Sequence, residues 1–527
     1  MKVHQLLPPL TTTQPPLLLL LWSGIRALGL HTTGNNIIKG VKIKTIKTLF
    51  ASFAFLFLGL VPISAMGQSM PYTFTANTAA KASEVNENFT YLLERFGGIR
   101  ETTVNCGTSG SGSGINSAIQ NGYNSIVING ICKENIIYDA RNTFSPRVLR
   151  LRGANNDYSI DKIVDNSSYE KTVLKAWYTG MILMVDNLTI SGGDIGIASW
   201  SNNTLVLRNI KVDGYKNHGL TIGGSSVLDG KNIIVDGSYT SASSSETGFA
   251  LGRDGVAYVE NLTITNNQDV GLELFNGQIE LLGTNVFQGN GTAINVELGS
   301  LIKTTGTTSI SNSSDYGVNI KQGGIADLKG LTLNVSTVGI VAVNNSTVNI
   351  TDSSLTSSSA SVIYSRGGVA LDIDDTTITG NSSKEAVMLN DGSNLQISGS
   401  TVSGGKAGIK AVYNSTVRFQ GGNTITGNTQ EGINLLNSTL HQYSDVSTTT
   451  ISSNTGSEIR AERSFLSLDG VTITGTGGST EVDLRQGSFL NLGSGSSVTG
   501  TVNCGNTAPD NGTFVNNSGT TVTTSGC

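Results

Sequence analysis

The chain has 527 residues, of which 65 are glycine, only 8 are proline and 13% are charged. Valine, isoleucine and leucine recur at short intervals throughout, which argues against a disordered chain and favours many short strands joined by polar turns. Six of the 33 basic residues and none of the 38 acidic residues lie within the first 67, so the remaining chain has a net charge of −11. Nucleic acid is therefore not expected as a partner, because binding phosphates needs a basic excess.

The start of the chain has the order of a secretory signal peptide. Three lysines precede an apolar run over residues 49–60, and the small residues Ala65 and Gly67 follow. Basic, apolar and small residues in this order are typical of a signal peptide. We therefore assign residues 41–67 to a signal peptide and predict that the mature chain begins at Gln68.

A membrane anchor is the alternative interpretation of this segment. Pro62 and the shortness of the apolar run argue against it, so no membrane span is expected in the mature chain. Residues 1–40 are interpreted as a non-structural N-terminal extension. The expected location is secreted, either extracellular or periplasmic.

Residues 68–103 are predicted to form an N-terminal segment with one helix over residues 81–97. Ser83 can cap this helix. Five apolar residues share one helical face: Val85, Phe89, Leu92, Leu93 and Phe96. Stacked strands leave an open edge that invites aggregation, so the helix is interpreted as a cap over the first strands. A homo-oligomerisation helix is the alternative.

Residues 104–504 carry an internal repeat. Related apolar steps recur at a mean interval of about 24 residues, beginning at Gly196, Gly219, Gly248, Gly271, Ala293, Gly317, Gly339, Ser361, Ala386, Gly408, Gly432, Glu458 and Glu481. Each unit adds two further apolar elements, such as Ser346–Ile350 and Leu262–Ile264. One unit is thus three short strands and three turns. Alternation gives each strand one inward side, which only stacked units can bury.

The alternation also predicts a register. In one coil the inward residues are Ile340, Ala342, Val348 and Ile350. Three coils later they are Ile409, Ala411, Val417 and Phe419. Lys410 should point outward, and so should Val341 and, one coil later, Ile363.

Four cysteines follow the predicted signal peptide and bracket the two ends of the repeat. An even number in an exported chain indicates disulfides. The simplest of the three connectivities pairs Cys106 with Cys132 and Cys504 with Cys527. Residues 505–527 are then interpreted as a disulfide-closed C-terminal cap.

The repeat resembles the right-handed parallel β-helix repeat family of the pectin-lyase-like superfamily. The opening segment, from Asn116–Ile119 through Ile126–Cys132, is similar to the first turn of many exported members. The resemblance implies an all-β, single-stranded right-handed parallel β-helix of about 13 or more coils, with a short N-terminal helix and disulfide-bonded ends. It implies no single activity, because this fold carries lyases, hydrolases, epimerases, adhesins and phage fibres.

The catalytic motifs of the superfamily's enzymes are missing or displaced. The polygalacturonase motifs would require Asp-Asp before Gly-His-Gly, but Asp374-Asp375 follows His218-Gly219 here, and Asn217 replaces the first glycine. The pectate-lyase Trp-Ile-Asp-His and epimerase Asp-Pro-His-Glu motifs are also absent. The sequence therefore offers no motif-based catalytic assignment.

Carboxylates on the outer side of the first strand could still perform acid–base chemistry. The predicted register places Glu273, Glu297 and Lys321 on neighbouring coils, so they are the catalytic candidates. A solvated charged face is the alternative. The same outer columns contain Trp200 and Phe275, candidate apolar platforms for sugars or simply isolated surface aromatics.

Asp372, Asp374 and Asp375 form the candidate metal site. Asp372 and Asp374 point the same way along one strand, and oxygen ligands suit Ca²⁺. An acidic turn without metal is the alternative. No other cofactor is expected, since neither zinc-ligand spacing nor a nucleotide-binding motif occurs.

Three functions are compatible with these observations. The first is an exported, non-catalytic β-helix that presents a repetitive polar surface to a polysaccharide or cell-surface glycan, as an adhesin or structural protein does. The second is a polysaccharide lyase or glycoside hydrolase of the same superfamily. The third is a structural spacer. A groove with converging carboxylates and a basic residue would favour the enzyme.

Overall fold

The computed structural model describes residues 99–139, 147–168, 171–237, 246–443, 447–475, 480–505 and 512–527. They belong to a unit that spans Leu92–Cys527. The predicted extension, the signal peptide and the helix over residues 81–97 lie outside the described residues. No helix among the described residues is long and apolar enough to cross a membrane.

Among the described residues, seventeen strands form the first face of the repeat, one for each of about 17 turns. Each pairs in parallel with the strands one coil earlier and one coil later, except that the first and the last have one partner each. They are β3 (Ile136–Asp139), β6 (Thr172–Trp177), β8 (Ile195–Ser199), β10 (His218–Ile222), β12 (Thr247–Gly252), β14 (Val270–Phe275), β17 (Thr292–Glu297), β20 (Tyr316–Ile320), β23 (Val338–Val343), β26 (Ile363–Arg366), β29 (Val387–Asn390), β32 (Ile409–Val412), β35 (Ile433–Leu436), β38 (Ile459–Glu462), β41 (Thr480–Arg485), β44 (Thr501–Asn503) and β46 (Thr523–Ser525).

The second face is built mainly by short strands that follow the first face along the chain. They are β4 (Val148–Gly153), β15 (Gln278–Leu282), β18 (Leu301–Thr304), β21 (Ile325–Lys329), β24 (Thr347–Thr351), β27 (Ala370–Asp374), β30 (Asn394–Ser398), β33 (Thr416–Phe419), β36 (Thr439–Gln442), β39 (Phe465–Leu468), β42 (Phe489–Leu492) and β45 (Thr513–Asn516).

The third face completes each coil. Its separate strands are β5 (Lys162–Val164), β16 (Thr284–Gln288), β19 (Thr307–Ser311), β22 (Leu331–Val335), β25 (Ser354–Ser357), β28 (Thr377–Thr379), β31 (Thr401–Ser403), β34 (Thr424–Thr426), β37 (Thr449–Ser452), β40 (Val471–Thr474) and β43 (Ser497–Thr499). Six longer strands serve the second and third faces near the N-terminal end: β1 (Glu101–Gly112), β2 (Ser125–Lys133), β7 (Ile182–Ser191), β9 (Thr204–Asp213), β11 (Val227–Asp236) and β13 (Val256–Thr265).

The predicted right-handed parallel β-helix is therefore confirmed, and its 17 first-face strands agree with the expectation of 13 or more coils. The predicted disulfides are also confirmed, because Cys106 is bonded to Cys132 and Cys504 to Cys527. One short helix, α1 (Ile115–Gln120), precedes β2 and buries three apolar residues against the first coils.

The core is one continuous apolar column inside the coils. The predicted inward residues of both example coils are all at most 1% exposed, whereas Lys410 is only partly buried. One register assignment was wrong. In the outward column that contains Glu273, the residue in the coil after Val341 is Tyr364, and Ile363 is buried in the core.

The recurring glycines mark the corner before the first face. A Cβ atom on Gly219 would lie 2.7 Å from the carbonyl oxygen of Gly248, and one on Gly248 would lie 2.6 Å from that of Gly271. Consecutive coils thus pass too closely for a side chain at these positions. The glycine steps that identified the repeat are a consequence of this close approach.

An asparagine ladder stabilises the bend between the second and third faces in the four long strands β7 to β13. Asn187, Asn209, Asn232 and Asn261 all have left-handed φ values between 51° and 61°. The side-chain amides of the last three each donate to the Oδ1 of the asparagine one coil earlier, over 2.7–3.1 Å. Asparagine tolerates this backbone conformation and also supplies a ladder of hydrogen bonds.

Candidate functional site

The candidate catalytic and aromatic residues lie on the outer side of the first face. Strand pairing aligns seven residues of successive coils in one line parallel to the helix axis. We call this line the axial strip; it consists of Trp177, Trp200, Gly223, Gly252, Phe275, Glu297 and Lys321. Six coil steps of about 4.8 Å give it a length of about 29 Å.

The first part of the axial strip is aromatic with basic partners. Lys175 Nζ lies 3.7 Å from the centroid of the Trp177 ring, and Arg253 Cζ lies 5.3 Å from that of Trp200. Both distances fit cation–π interactions. A Cβ atom on Gly223 would lie only 2.7 Å from Trp200 Cζ3, so the indole ring rests against bare backbone.

The second part of the axial strip is acidic. Lys321 Nζ lies 2.7 Å from Glu297 Oε1. Asn295 Nδ2 donates to the same oxygen over 2.6 Å, and Asn319 Nδ2 donates to Asn295 Oδ1 over 3.0 Å. Glu297 is therefore held by a lysine and by a short relay of two asparagines.

Glu273 lies beside this group, in register with Asn295 on the next coil. Burial raises the pKa of Glu273, and the negative charges of Glu297 and Asp269 act in the same direction. Lys321 lowers the same pKa. The structure thus brings Glu273, Glu297 and Lys321 together electrostatically, although their role remains a prediction.

The two aromatic candidates lie in the same line but do not touch. Phe275 is 50% exposed, whereas Trp200 is partly buried. Gly223 and Gly252 lie between them, so the surface there is bare backbone. Sequence reasoning missed Trp177, although it precedes Trp200 by 23 residues, which is close to one coil length.

The candidate calcium ligands lie on the second face, away from the axial strip. Asp372 and Asp374 point outward on β27, and Asp375 follows in a left-handed turn with φ 46°. Gln396 Nε2 donates to Asp372 Oδ1 over 3.4 Å, and burial, followed by Asp374, raises the pKa of Asp372. Within the described ranges no three His, Cys, Asp or Glu side chains are grouped so that they could hold a metal ion. The calcium site stays a prediction.

A second group of titratable residues at the corner before the first face was not predicted. Glu246 is fully buried, and burial raises its pKa to about 7. The backbone N–H of Gln268 donates to Glu246 Oε2 over 3.3 Å, but Oε1 has no partner among the described residues. Burial also lowers the pKa of His218, whose register partner Thr247 follows Glu246.

Comparison with known proteins adds a family match over the C-terminal part. Residues 338–527 match the family model described as right handed beta helix region. The strand pairing shows the same parallel β-helix fold in the described residues before this match. No curated protein sequence matches this β-helix.

Two solved structures resemble the β-helix. The crystal structure of the periplasmic alginate epimerase AlgG is 10% identical, with a TM-score of 0.34, and the likeness covers 79% of this chain and 88% of that one. The A-module of the mannuronan C-5 epimerase AlgE6 of Azotobacter vinelandii is 12% identical, with a TM-score of 0.21, over 81% of this chain and 92% of that one. At these values the likenesses say nothing about activity.

Proposed function

We propose that this β-helix binds a glycan chain along the axial strip. The observation that carries the proposal is the alignment of Trp177, Trp200 and Phe275 with two glycines between them, in one line parallel to the axis. Aromatic rings pack against the apolar C–H faces of sugars. The bare backbone at Gly223 and Gly252 leaves room for a chain to lie close to the sheet.

The polar groups beside this line suit sugar hydroxyls. Lys175, Arg253 and Asn295 supply N–H donors, whereas Glu273 and Glu297 supply acceptor oxygens. Apolar surface with a few polar groups is the usual composition of a small-molecule or glycan site. The length of about 29 Å would accommodate several sugar residues.

Binding can be tested by affinity electrophoresis in gels that contain neutral, amino or uronic-acid polysaccharides. We expect retardation by at least one class, and a loss of about tenfold in affinity for Trp200→Ala and for Phe275→Ala. Tyr258→Ala is the matched control, because Tyr258 is a 45% exposed aromatic residue on β13, outside the axial strip. Retardation that no axial-strip variant reduces would contradict the proposal.

A glycan-modifying enzyme is the second candidate, favoured by the grouping of Glu273, Glu297 and Lys321. Burial raises the pKa of Glu273, which suits a general acid, while Glu297 is paired with Lys321. Two carboxylates in unlike environments can divide acid and base roles. Incubation with the same polysaccharides, read by reducing ends and by the absorbance of unsaturated products, tests this. Turnover that Glu273→Gln abolishes without loss of binding would support the enzyme.

The disulfides support an exported location. Two bonded pairs, Cys106–Cys132 and Cys504–Cys527, suit an oxidising compartment. We therefore infer an extracellular or periplasmic protein, as the predicted signal peptide also implies. Fractionation of expressing cells, with N-terminal sequencing of the exported form, tests both the location and the predicted start at Gln68.

A further inference from the structure

We propose that a separate site on the second face binds an acidic glycan through Arg418 and a group of aromatic side chains. We call this site the aromatic patch; it consists of Arg418, His441, Tyr443, Phe465 and Phe489. Its strands, β33, β36, β39 and β42, are consecutive on the second face. The proposal does not depend on the axial strip, which lies on the first face.

The rings of the aromatic patch form a connected surface. The centroids of Phe465 and Phe489 are 5.3 Å apart with nearly parallel planes, and those of His441 and Phe465 are 5.7 Å apart. The rings of His441 and Tyr443 are parallel at 6.3 Å. Phe465 is 43% exposed and Tyr443 54% exposed, so this surface is open to solvent. Neighbouring exposed aromatics of this kind mark an interaction site more than scattered single residues do.

Arg418 gives the aromatic patch its charge preference. It lies in register with His441 on the next coil. Burial lowers the pKa of His441, and the positive charge of Arg418 lowers it further. Arg366, Arg460 and Arg485 each form an ion pair with a carboxylate. Arg418 is exposed and has neither an ion pair nor a hydrogen bond to any described residue.

The carboxylates nearest in register leave Arg418 available. In the outward column of Arg418, Asp372 lies two coils earlier, and Gln396 intervenes and donates to it. Asp469 directly follows β39 and lies in register with Tyr443, not in the column of Arg418. The aromatic patch therefore presents one unpaired guanidinium beside apolar rings, although the chain as a whole is acidic.

This combination fits a sugar that bears a carboxylate. A guanidinium binds a carboxylate through two parallel N–H···O bonds, and sugar C–H faces pack on the neighbouring rings. Arg418 and Phe489 are three coil steps apart, about 14 Å, which matches a short run of sugar residues. A neutral glycan would leave the guanidinium without its anion, so we expect uronic-acid polymers to bind more tightly.

The test is titration calorimetry of the full chain with hexagalacturonate and with maltohexaose at low salt. We expect the acidic hexamer to bind at least about tenfold more tightly. Arg418→Ala should reduce its affinity about tenfold, and Arg418→Lys should restore only part of it because lysine cannot form two parallel bonds. Phe465→Ala should lower the affinity for the acidic hexamer but not the salt dependence of that affinity. Arg418→Ala should lower the affinity and its salt dependence.

Two controls separate this site from the axial strip. In proteins that also carry Trp200→Ala or Tyr258→Ala, Arg418→Ala should reduce the affinity for the acidic hexamer by the same factor. If Trp200→Ala removes all binding of the acidic hexamer and Arg418→Ala removes none, the proposal is wrong and the axial strip alone binds. Equal affinity for the two hexamers would also overturn it. If Arg418→Ala loses binding of the acidic hexamer while Trp200→Ala retains it fully, the result supports the aromatic patch even if the axial strip binds nothing.

Discussion

Lys321 Nζ lies 2.7 Å from Glu297 Oε1, one coil along the helix axis, and this pair adjoins a third charged group. Lys321 also lowers the pKa of Glu273, against the effects of burial and of Glu297. One lysine thus offsets the repulsion between two carboxylates. The balance of charge at this end of the axial strip depends on it.

Replacing Lys321 with Gln should therefore raise the pKa of Glu273 further. The positive charge that favours the carboxylate form is removed, while Glu297 remains nearby. The measurement is a pH titration followed by ¹³C NMR of the Glu273 carboxyl carbon. Lys303→Gln is the control, because Lys303 pairs with Glu280 on the second face. An unchanged or lower pKa in Lys321→Gln would show that the three groups are not coupled.

Gly223→Ala should displace the Trp200 ring. The new Cβ atom would lie 2.7 Å from Trp200 Cζ3, whereas at Gly252 it would lie 3.1 Å from the Phe275 carbonyl oxygen and 3.8 Å from its Cβ. We expect a shift in tryptophan fluorescence and about threefold to tenfold weaker glycan binding in Gly223→Ala. Gly252→Ala should leave the emission spectrum unchanged. Identical spectra for the two variants would argue against the contact.

Glu246→Gln should change the pH dependence of stability. Burial raises the pKa of Glu246 from 4.5 to about 7, so the folded state binds this proton more tightly than the unfolded state. Below the pKa of the unfolded state the carboxyl is protonated in both states and does not destabilise the folded state. The loss of folding free energy grows as pH rises towards 7 and is constant above that pH. At pH 8 the variant should be more stable than the natural protein by up to about 3 kcal/mol.

Urea unfolding at pH 5 and pH 8 measures this difference. The gain from Glu246→Gln should be small at pH 5 and large at pH 8. Glu280→Gln serves as the control, because Glu280 lies at the surface in an ion pair with Lys303. Parallel stability curves for Glu246→Gln and the natural protein would exclude a raised pKa.

Ile409→Asp should unfold the neighbouring coils. Ile409 is fully buried, and an unpaired charge in the core costs several kcal/mol. Lys410→Gln is the matched control on the adjacent outward position. It loses only a partly exposed ion pair with Glu385, at 3.1 Å, and should change stability by less than about 1 kcal/mol. Thermal unfolding measures both, and equal effects would mean that the register is wrong by one residue.

The sequence predicted the fold well because its signals are repeated. Glycine steps and alternation recur with the coil, and each reflects a close approach or an inward side chain. The error at Ile363 has a local cause. The preceding stretch, residues 357–361, is Ser-Ser-Ser-Ala-Ser and contains no glycine to mark the corner, and Val362 takes the place that Gly339 holds one coil earlier.

The candidate site was predictable only in part. Strand register placed Glu273, Glu297 and Lys321 near one another, because parallel pairing aligns equivalent positions. The burial of Glu246 had no such signal, since a glutamate at a corner can point either way. The aromatic patch combines residues at three different positions of the coil, and only their three-dimensional arrangement relates them.

The asparagine ladder has a consequence for how the protein opens. In β7 to β13 one continuous strand serves two faces, and the amides of Asn187 to Asn261 join four coils. From Gly283 onwards the corresponding strands are separate. Because cooperative units in repeat proteins follow neighbour contacts, amide hydrogen exchange should slow abruptly on the N-terminal side of this boundary. The axial strip crosses it between Gly252 and Phe275, so an occupant would bridge coils on both sides of the boundary.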